Sequence, residues 1–216
     1  MKKETFPPAN VPRRRSLSVL RVAAQDCRAC DLYRHATQAV FGEGARKARL
    51  MLIGEEPGND EDLQGHPFVG PAGKLLDRAL KEAGIDRAEI YLTNTVKHFK
   101  FEERGKRRIH KKPNGTEVDA CRPWLEAEIA LIKPEIIVCL GATAAQSILG
   151  RDYRVTRERG KFVEHSLARL VTSTIHPSAI LRAPDEESRR AEYQAFVADL
   201  KKVRDRLAGG AQGQSR

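Results

Sequence analysis

Long apolar runs are missing from this 216-residue chain. No stretch approaches the about 20 apolar residues that a membrane-spanning helix needs. Residues 1–15 mix Lys, Glu, Pro and Arg and contain no apolar core of a secretory signal. Internal repeats are also lacking, aromatic residues make up only 6%, and there are just four cysteines. We therefore expect a protein of the bacterial cytoplasm that makes no use of a membrane and in which disulfides are improbable.

Acidic residues are outnumbered by basic ones. The chain has 39 Lys and Arg against 29 Asp and Glu, which gives a formal net charge of +10 and a pI of about 9.7. Excess positive charge favours polyanionic partners, because each neutralised phosphate releases a counterion. Nucleic acid is the first candidate partner, and a protein that is merely basic is the alternative.

Four short apolar runs alternate with amphipathic segments. The predicted strands cover residues 49–53, 90–93, 135–140 and 169–174, and the predicted helices cover 16–36, 71–83, 117–132, 142–149 and 185–206. This alternation predicts a three-layer α/β/α fold with a central four-stranded parallel sheet. The length suits one domain, expected at residues 16–207, with a flexible basic arm at 1–15 and a disordered tail at 208–216. A monomer is expected.

Loops with reactive side chains leave from the ends of the predicted strands, at residues 54–70, 94–115 and 176–182. In sheets of this kind, ligands bind at the carboxyl ends of the strands. The order of the elements therefore predicts that these loops form one site.

The four cysteines comprise one C-x-x-C pair, Cys27 and Cys30, and the single residues Cys121 and Cys139. Four thiolates with none left over can hold a [4Fe–4S] cluster or a zinc ion. Free buried cysteines are the alternative. Structural zinc more often uses two close pairs, which favours the cluster.

Short motifs stand in these loops: GEEPG at 54–58, PFVGPAG at 67–73, Thr-Asn at 93–94 and HPS at 176–178. In this order, and with four cysteines, they resemble the uracil-DNA glycosylase superfamily, most closely its family four iron–sulfur branch. The resemblance covers residues 25–205. It implies a uracil-DNA glycosylase-like fold, a [4Fe–4S] cofactor held by the four cysteines, and uracil-containing DNA as the partner, single-stranded first, with double-stranded DNA left open.

The resemblance also implies roles for four side chains. An aromatic ring can stack on a base that has been flipped out of DNA, and Phe68 matches this position. The Asn94 amide would read the uracil edge, because it can donate and accept hydrogen bonds. His176 would stabilise negative charge on the leaving uracil, and Glu55 positive charge on the sugar. From the residues alone, Phe68 as a core side chain and the other polar groups as turn residues are the alternatives.

Three further pocket positions are expected close to phosphates, since small residues permit close approach: Gly54, Gly58 and Ser178. Glu56 belongs to the same motif and is expected to touch the substrate. One subgroup of the superfamily commonly has an amide at this position. A second carboxylate beside Glu55 would alter the rate of the reaction and not its type.

A basic stretch follows the second predicted strand. Residues 97–112 contain eight Lys or Arg and two acids, and we expect four of them to bind DNA: Lys106, Arg107, Arg108 and Lys111. The segment 106–110 reads KRRIH and resembles the signature insertion of the UdgX subgroup. That resemblance implies that His110 attacks C1′ of the abasic sugar and leaves the protein covalently joined to DNA.

Three hypotheses therefore remain at this stage. The chain is a single-turnover uracil-DNA glycosylase, which breaks the N-glycosyl bond and captures its product through His110. Alternatively, it is a turnover glycosylase whose basic stretch only grips DNA. The third hypothesis is a non-catalytic binder of damaged DNA on the same fold.

Overall fold

A mixed six-stranded sheet forms the centre of the protein. The computed structural model describes residues 5–13 and 16–212. Side by side, the strands are β1 (Glu43–Gly44), β3 (Tyr91–Asn94), β2 (Leu50–Gly54), β6 (Ile136–Leu140), β8 (Ala168–Thr174) and β7 (Val163–His165). The four inner strands are parallel, as predicted, and the short edge strands β1 and β7 are antiparallel to their neighbours.

Helices cover both faces of the sheet. They are α1 (Leu17–Gln25), α2 (Asn59–Gln64), α3 (Pro71–Ala83), α4 (Gly115–Ile132), α5 (Ala142–Leu149), α6 (Val155–Glu158), α7 (Pro177–Leu181) and α8 (Glu186–Gln212), with 3₁₀ turns at Asp31–Arg34 and Arg87–Glu89. None of these helices is long and apolar enough to cross a membrane, within the residues described.

Alternating side chains of the inner strands divide the core between the two faces. Leu52 and Val138 pack with α3 and α8 in one apolar cluster, whereas Met51 and Ile137 pack with α4 and α5 in another. Helices cover both faces of every inner strand, so the side chains on both faces are apolar. This is why the inner strands appear in the sequence as continuous apolar runs. The predicted three-layer architecture is confirmed.

The chain ends differ in detail from the sequence prediction. In the described part of the basic arm, the Ala9 N–H donates to the Ala120 carbonyl at 2.9 Å, and Ala9 is buried against α1 and α4. This part of the arm is therefore packed on the domain. Helix α8 continues to Gln212, five residues into the predicted tail. Residues 1–4, 14–15 and 213–216 of the predicted arm and tail lie outside the described residues.

The basic stretch after β3 forms a β-hairpin instead of a loop. Strands β4 (Phe101–Arg104) and β5 (Arg107–His110) pair antiparallel as a separate two-stranded sheet. Gly105 has φ of +60° at the first of the two turn positions, as a type II′ hairpin turn requires. The hairpin carries His110 at its end and stands over the carboxyl edge of the central sheet.

Candidate active site

A cavity of about 680 Å³ opens where β2, β3, β6 and β8 end, a volume typical of small-molecule sites. The predicted site residues that line it are Glu55, Glu56, Gly58, Phe68, Asn94, His110, His176 and Ser178. Gly54 lies directly beneath two of them. The structure therefore brings together, in one pocket, side chains that are up to 123 positions apart in the chain, between Glu55 and Ser178.

Gly54 is required by close packing on the floor of the pocket. It pairs with Asn94 across β2 and β3, and a Cβ at residue 54 would lie 2.3 Å from Asn94 Oδ1 and 2.7 Å from Phe68 Cζ. Asn94 is buried, and its carbonyl accepts a hydrogen bond of 2.7 Å from Lys97 Nζ. Lys97 is itself held in the interior by an ion pair with Glu128. The Asn94 backbone is thus held by Lys97, and its side-chain oxygen packs against Gly54.

Phe68 adopts a backbone conformation that is rare for a side chain of its size, with φ of +57°. The neighbouring helix stabilises it through a close approach, because a Cβ at Gly73 would lie 1.8 Å from the Phe68 carbonyl oxygen. The Phe68 ring lies nearly parallel to the His176 ring, at 29° and with centroids 6.2 Å apart. Strain of this kind is concentrated at functional sites.

His176 caps α7 in a defined tautomer. Its Nδ1 accepts the Ser178 N–H at 3.2 Å and lies 2.8 Å from Ser178 Oγ, so the ring proton is on Nε2. Burial lowers the pKa of His176 to about 4, and the positive charge of Arg182 adds to the effect. The ring is therefore neutral near pH 7, with Nε2–H available as a donor.

The two adjacent carboxylates have different surroundings. Glu55 accepts a hydrogen bond from Thr143 Oγ1 at the start of α5. The Glu56 side chain is fully buried, and burial raises its pKa to about 8 even though His110 opposes the shift. Glu56 is therefore largely neutral at pH 7, in contrast to the additional negative charge that the sequence predicts.

His110 reaches both carboxylates from the end of β5. Its Nε2 lies 3.0 Å from Glu56 Oε1 and 3.6 Å from Glu55 Oε1, and about half of the side chain is exposed. Neither Glu56 oxygen has a hydrogen bond of good geometry among the described residues, although His110 and the Lys100 N–H are close enough to oppose the rise in its pKa. The closeness of Glu56 raises the pKa of His110. The predicted nucleophile is thus at the mouth of the pocket, beside Glu55.

The sequence comparisons are consistent with this pocket. A profile of the Uracil DNA glycosylase superfamily matches residues 41–201. The chain belongs to the uracil-DNA glycosylase superfamily. The type-4 uracil-DNA glycosylases of Thermotoga maritima and Archaeoglobus fulgidus are 37% and 38% identical over 179 and 184 residues. Each alignment covers 82% of this chain, and 90% and 86% of the relative, respectively. The type-5 enzyme of Thermus thermophilus is 32% identical over 126 residues, 51% of this chain and 53% of that protein. Membership of the superfamily and similarity to its type-4 branch are confirmed, and the UdgX subgroup stays a prediction.

Of the four residues predicted to bind DNA, Arg108 has an internal role. Its guanidinium pairs with the buried Asp62 at 2.7 Å, donates to Asn59 Oδ1 at 2.8 Å and lies over the Phe101 ring at 4.9 Å. These contacts fasten the hairpin to α2, so Arg108 is not available to phosphates as the sequence suggests. The other three are exposed: Lys106, Arg107 and Lys111, the last paired with Glu102 at 2.6 Å.

The loop backbone is also more self-contained than the sequence suggests. The Gly58 N–H donates to Glu61 Oε2 at 3.1 Å, and the Ser178 N–H is used by His176. Neither amide is therefore free for a phosphate. Glu61 also accepts from the Gly70 N–H at 2.8 Å and so ties the two pocket loops together. Sequence reasoning missed Glu61, as it did Thr143 and Arg182, because an isolated acid, Thr or Arg carries no motif.

The cysteines do not form the predicted group of four. Among residues 5–13 and 16–212, no set of three or more His, Cys, Asp or Glu side chains is arranged to hold a metal ion, and all four cysteines are free thiols. Cys27, Cys30 and Cys121 belong to the apolar cluster between α1 and α4. Cys139 is on β6 and packs in the separate cluster beneath α4 and α5. The structure therefore places Cys139 in a different apolar cluster from the other three thiols and does not group the four.

The three remaining thiols have surroundings suited to thiolate ligands. Trp124 Nε1 donates to Cys27 Sγ at 3.2 Å, and the Lys97 N–H donates to Cys121 Sγ at 3.3 Å. Hydrogen bonds to sulfur stabilise thiolates and tune the potential of iron–sulfur clusters. Two of these thiols thus accept hydrogen bonds of the kind that thiolate ligands use, although no set of ligands is assembled among the described residues.

Proposed function

We propose that this chain excises uracil from DNA and then stays covalently joined to C1′ of the sugar through His110. The observation that carries the proposal is the single pocket in which Phe68, Asn94 and His176 face the two carboxylates, with His110 Nε2 at the mouth. Membership of the superfamily and similarity to type-4 uracil-DNA glycosylases support uracil as the base.

Recognition depends on three side chains. The extruded uracil stacks on Phe68, whose ring packs on Gly54 and whose backbone packs on Gly73. The buried Asn94 amide donates to and accepts from the uracil edge, so a base with a different edge leaves an unsatisfied polar group. His176 donates Nε2–H to a uracil oxygen.

Cleavage uses charge that is already in place. As the bond between C1′ and uracil N1 breaks, its electron pair moves to the base, where the His176 donor stabilises it. The positive charge that grows on the sugar faces Glu55, which Thr143 holds by a hydrogen bond. The uracil anion then takes a proton from water.

Capture follows from the position of His110. Its Nε2 is 3.6 Å from Oε1 of Glu55. Glu55 is the carboxylate that faces C1′ in the cleavage step. The lone pair of Nε2 forms the new bond to C1′, and the hairpin occupies the approach that water would need. The enzyme then acts once on each site.

A denaturing gel tests this proposal directly. The protein is mixed with a uracil-containing single-stranded oligonucleotide beside His110→Ser, with His35→Ser as a control for the loss of an exposed histidine. We expect an SDS- and heat-stable shifted band in the wild type and in His35→Ser only. Alkali-labile DNA without a shift would identify a turnover glycosylase, and neither signal would favour a non-catalytic DNA binder.

We also propose an iron–sulfur cluster held by Cys27, Cys30, Cys121 and His98. His98 is 4% exposed and follows Lys97, whose N–H contacts Cys121 Sγ. Histidine replaces cysteine as a ligand in some natural clusters. A bound cluster would join α1, α4 and the segment after β3 into one unit.

Iron content separates this ligand set from the one predicted by sequence. Purified Cys121→Ser and His98→Ala should lose iron and the brown colour, whereas Cys139→Ser should keep both. Loss of iron from Cys139→Ser with retention in His98→Ala would overturn the assignment.

A further inference from the structure

Glu56 is a buried carboxyl group that the steps above do not use. Its side chain has no exposed surface, and His110 Nε2, 3.0 Å from Glu56 Oε1, is the one basic side chain within ion-pairing distance of it among the described residues. A buried carboxylate without partners is costly, so such a group either takes a proton or serves a specific purpose. The adjacent Glu55 does not share this isolation, because Thr143 occupies one of its oxygens.

One titratable side chain of the neighbouring hairpin faces Glu56. His110 Nε2 is 3.0 Å from Glu56 Oε1, which is closer than its 3.6 Å distance to Glu55. Nε2 is also the atom that must bond to C1′ in the proposed capture. Any proton held between Glu56 and Nε2 therefore blocks the lone pair that capture needs.

We propose that Glu56 is a positioning residue that shares one proton with His110 Nε2 and so gates covalent capture. The proposal rests on the proposed role of His110. With the proton in place, the ring is held beside the pocket but cannot attack, while uracil excision proceeds. Loss of the proton frees the ring.

The proton and electron balance of the gated step is simple. The shared proton leaves to solvent, so that Glu56 is a carboxylate and His110 is a neutral imidazole with its proton on Nδ1. The Nε2 lone pair then forms the bond to C1′, whose bond to uracil N1 has broken with its electrons on the base. The resulting imidazolium keeps its Nδ1 proton, and Glu55 offsets its charge.

The surrounding charges agree with one shared proton near neutral pH. Burial raises the pKa of Glu56 to about 8, and Glu56 in turn raises the pKa of His110. The other charged or titratable groups that face His110 are Glu55, from the same loop, and Arg182 and His176, from α7. Arg182 opposes a positive charge on the ring and His176 is neutral near pH 7, so neither accounts for a retained proton.

The pH dependence of capture tests the gate. Covalent product is measured in single turnover by SDS quench from pH 5 to pH 9, for the wild type and for Glu56→Gln. Without the carboxylate, Nε2 loses its proton at lower pH, because a nearby opposite charge moves a pKa by about 1–3 units. The acid limb of capture should shift down by about that amount in Glu56→Gln, and Glu56→Asp should stay closer to the wild type.

Uracil release separates this proposal from the proposed function. In the His110→Ser background, Glu56→Gln should leave the midpoint of the acid limb of uracil release at the same pH, even where the rate of release changes. A capture limb at the same pH in the wild type and Glu56→Gln would overturn the gate while leaving capture intact. Absence of any covalent product from the wild type would overturn both. If Glu56→Gln does not fold, the wild-type limb decides alone: it must lie above the ordinary histidine pKa of about 6.5.

Discussion

Replacing Glu56 by Gln should stabilise the protein relative to the wild type, and the difference should grow as the pH rises. The pKa of Glu56 is raised from 4.5 to about 8, so ionisation opposes folding once the pH exceeds the value of the unfolded chain. The stability contributed by the preference of folded Glu56 for its proton is complete below the pKa of the unfolded chain. It is lost as the pH rises through the pKa of the folded protein. A shift of this size corresponds to roughly 5 kcal/mol when ionisation is complete, and about half develops between pH 5 and pH 7.

Urea unfolding followed by circular dichroism measures this effect. The midpoints of wild type and Glu56→Gln are compared at pH 5, 7 and 9, and the difference in unfolding free energy should grow with pH in favour of Glu56→Gln. Glu126→Gln removes an exposed carboxylate from α4 and controls for the change in net charge. A difference that is constant with pH, or that favours the wild type at pH 9, would refute the inference that burial raises the pKa of Glu56.

Three other substitutions test the pocket and the hairpin. Gly54→Ala should reduce uracil excision more than about 100-fold with the fold retained, since a Cβ would lie 2.3 Å from Asn94 Oδ1; normal release of uracil would contradict this packing. Thr143→Val should slow single-turnover excision about 10- to 100-fold, because a hydrogen bond to a charged group contributes about 1.5–3 kcal/mol, and an unchanged rate would mean that Thr143 does not hold Glu55. Arg107→Gln should lower the slope of log affinity against log salt by about 0.7 for single-stranded DNA, and an unaltered slope would mean that this side chain faces away from phosphates.

Much of the scaffold is readable from the sequence because the inner strands are covered on both faces. Continuous apolar runs such as 136–140 have no other stable location, and Gly84, with φ of +74°, ends α3 where the sequence predicts. The edge strands were missed because two or three residues carry no periodicity. The hairpin was missed because its strands are charged, although Gly105-Lys106 is a recognisable two-residue turn.

Site residues that belong to short motifs could be predicted from the sequence. Roles that depend on a contact with a residue distant in the chain could not. The glycines, Phe68, Asn94 and His176 are in short patterns whose chemistry is local. The internal role of Arg108 depends on Asp62, which is 46 positions away in the chain. The burial of Glu56 likewise depends on the hairpin above it. The separation of Cys139 from the other thiols could not be predicted, because counting thiols says nothing about which apolar cluster each one joins.

The hairpin has one further consequence, which concerns how such an activity can be gained or lost. Strands β4 and β5 share no hydrogen-bonded ladder with the central sheet. Deleting the pair leaves the ladder of the six-stranded sheet complete. Under the proposed function, the hairpin that carries His110 is therefore separable from the sheet that carries Glu55 and Asn94, and Arg108 with Asp62 is the contact that anchors it.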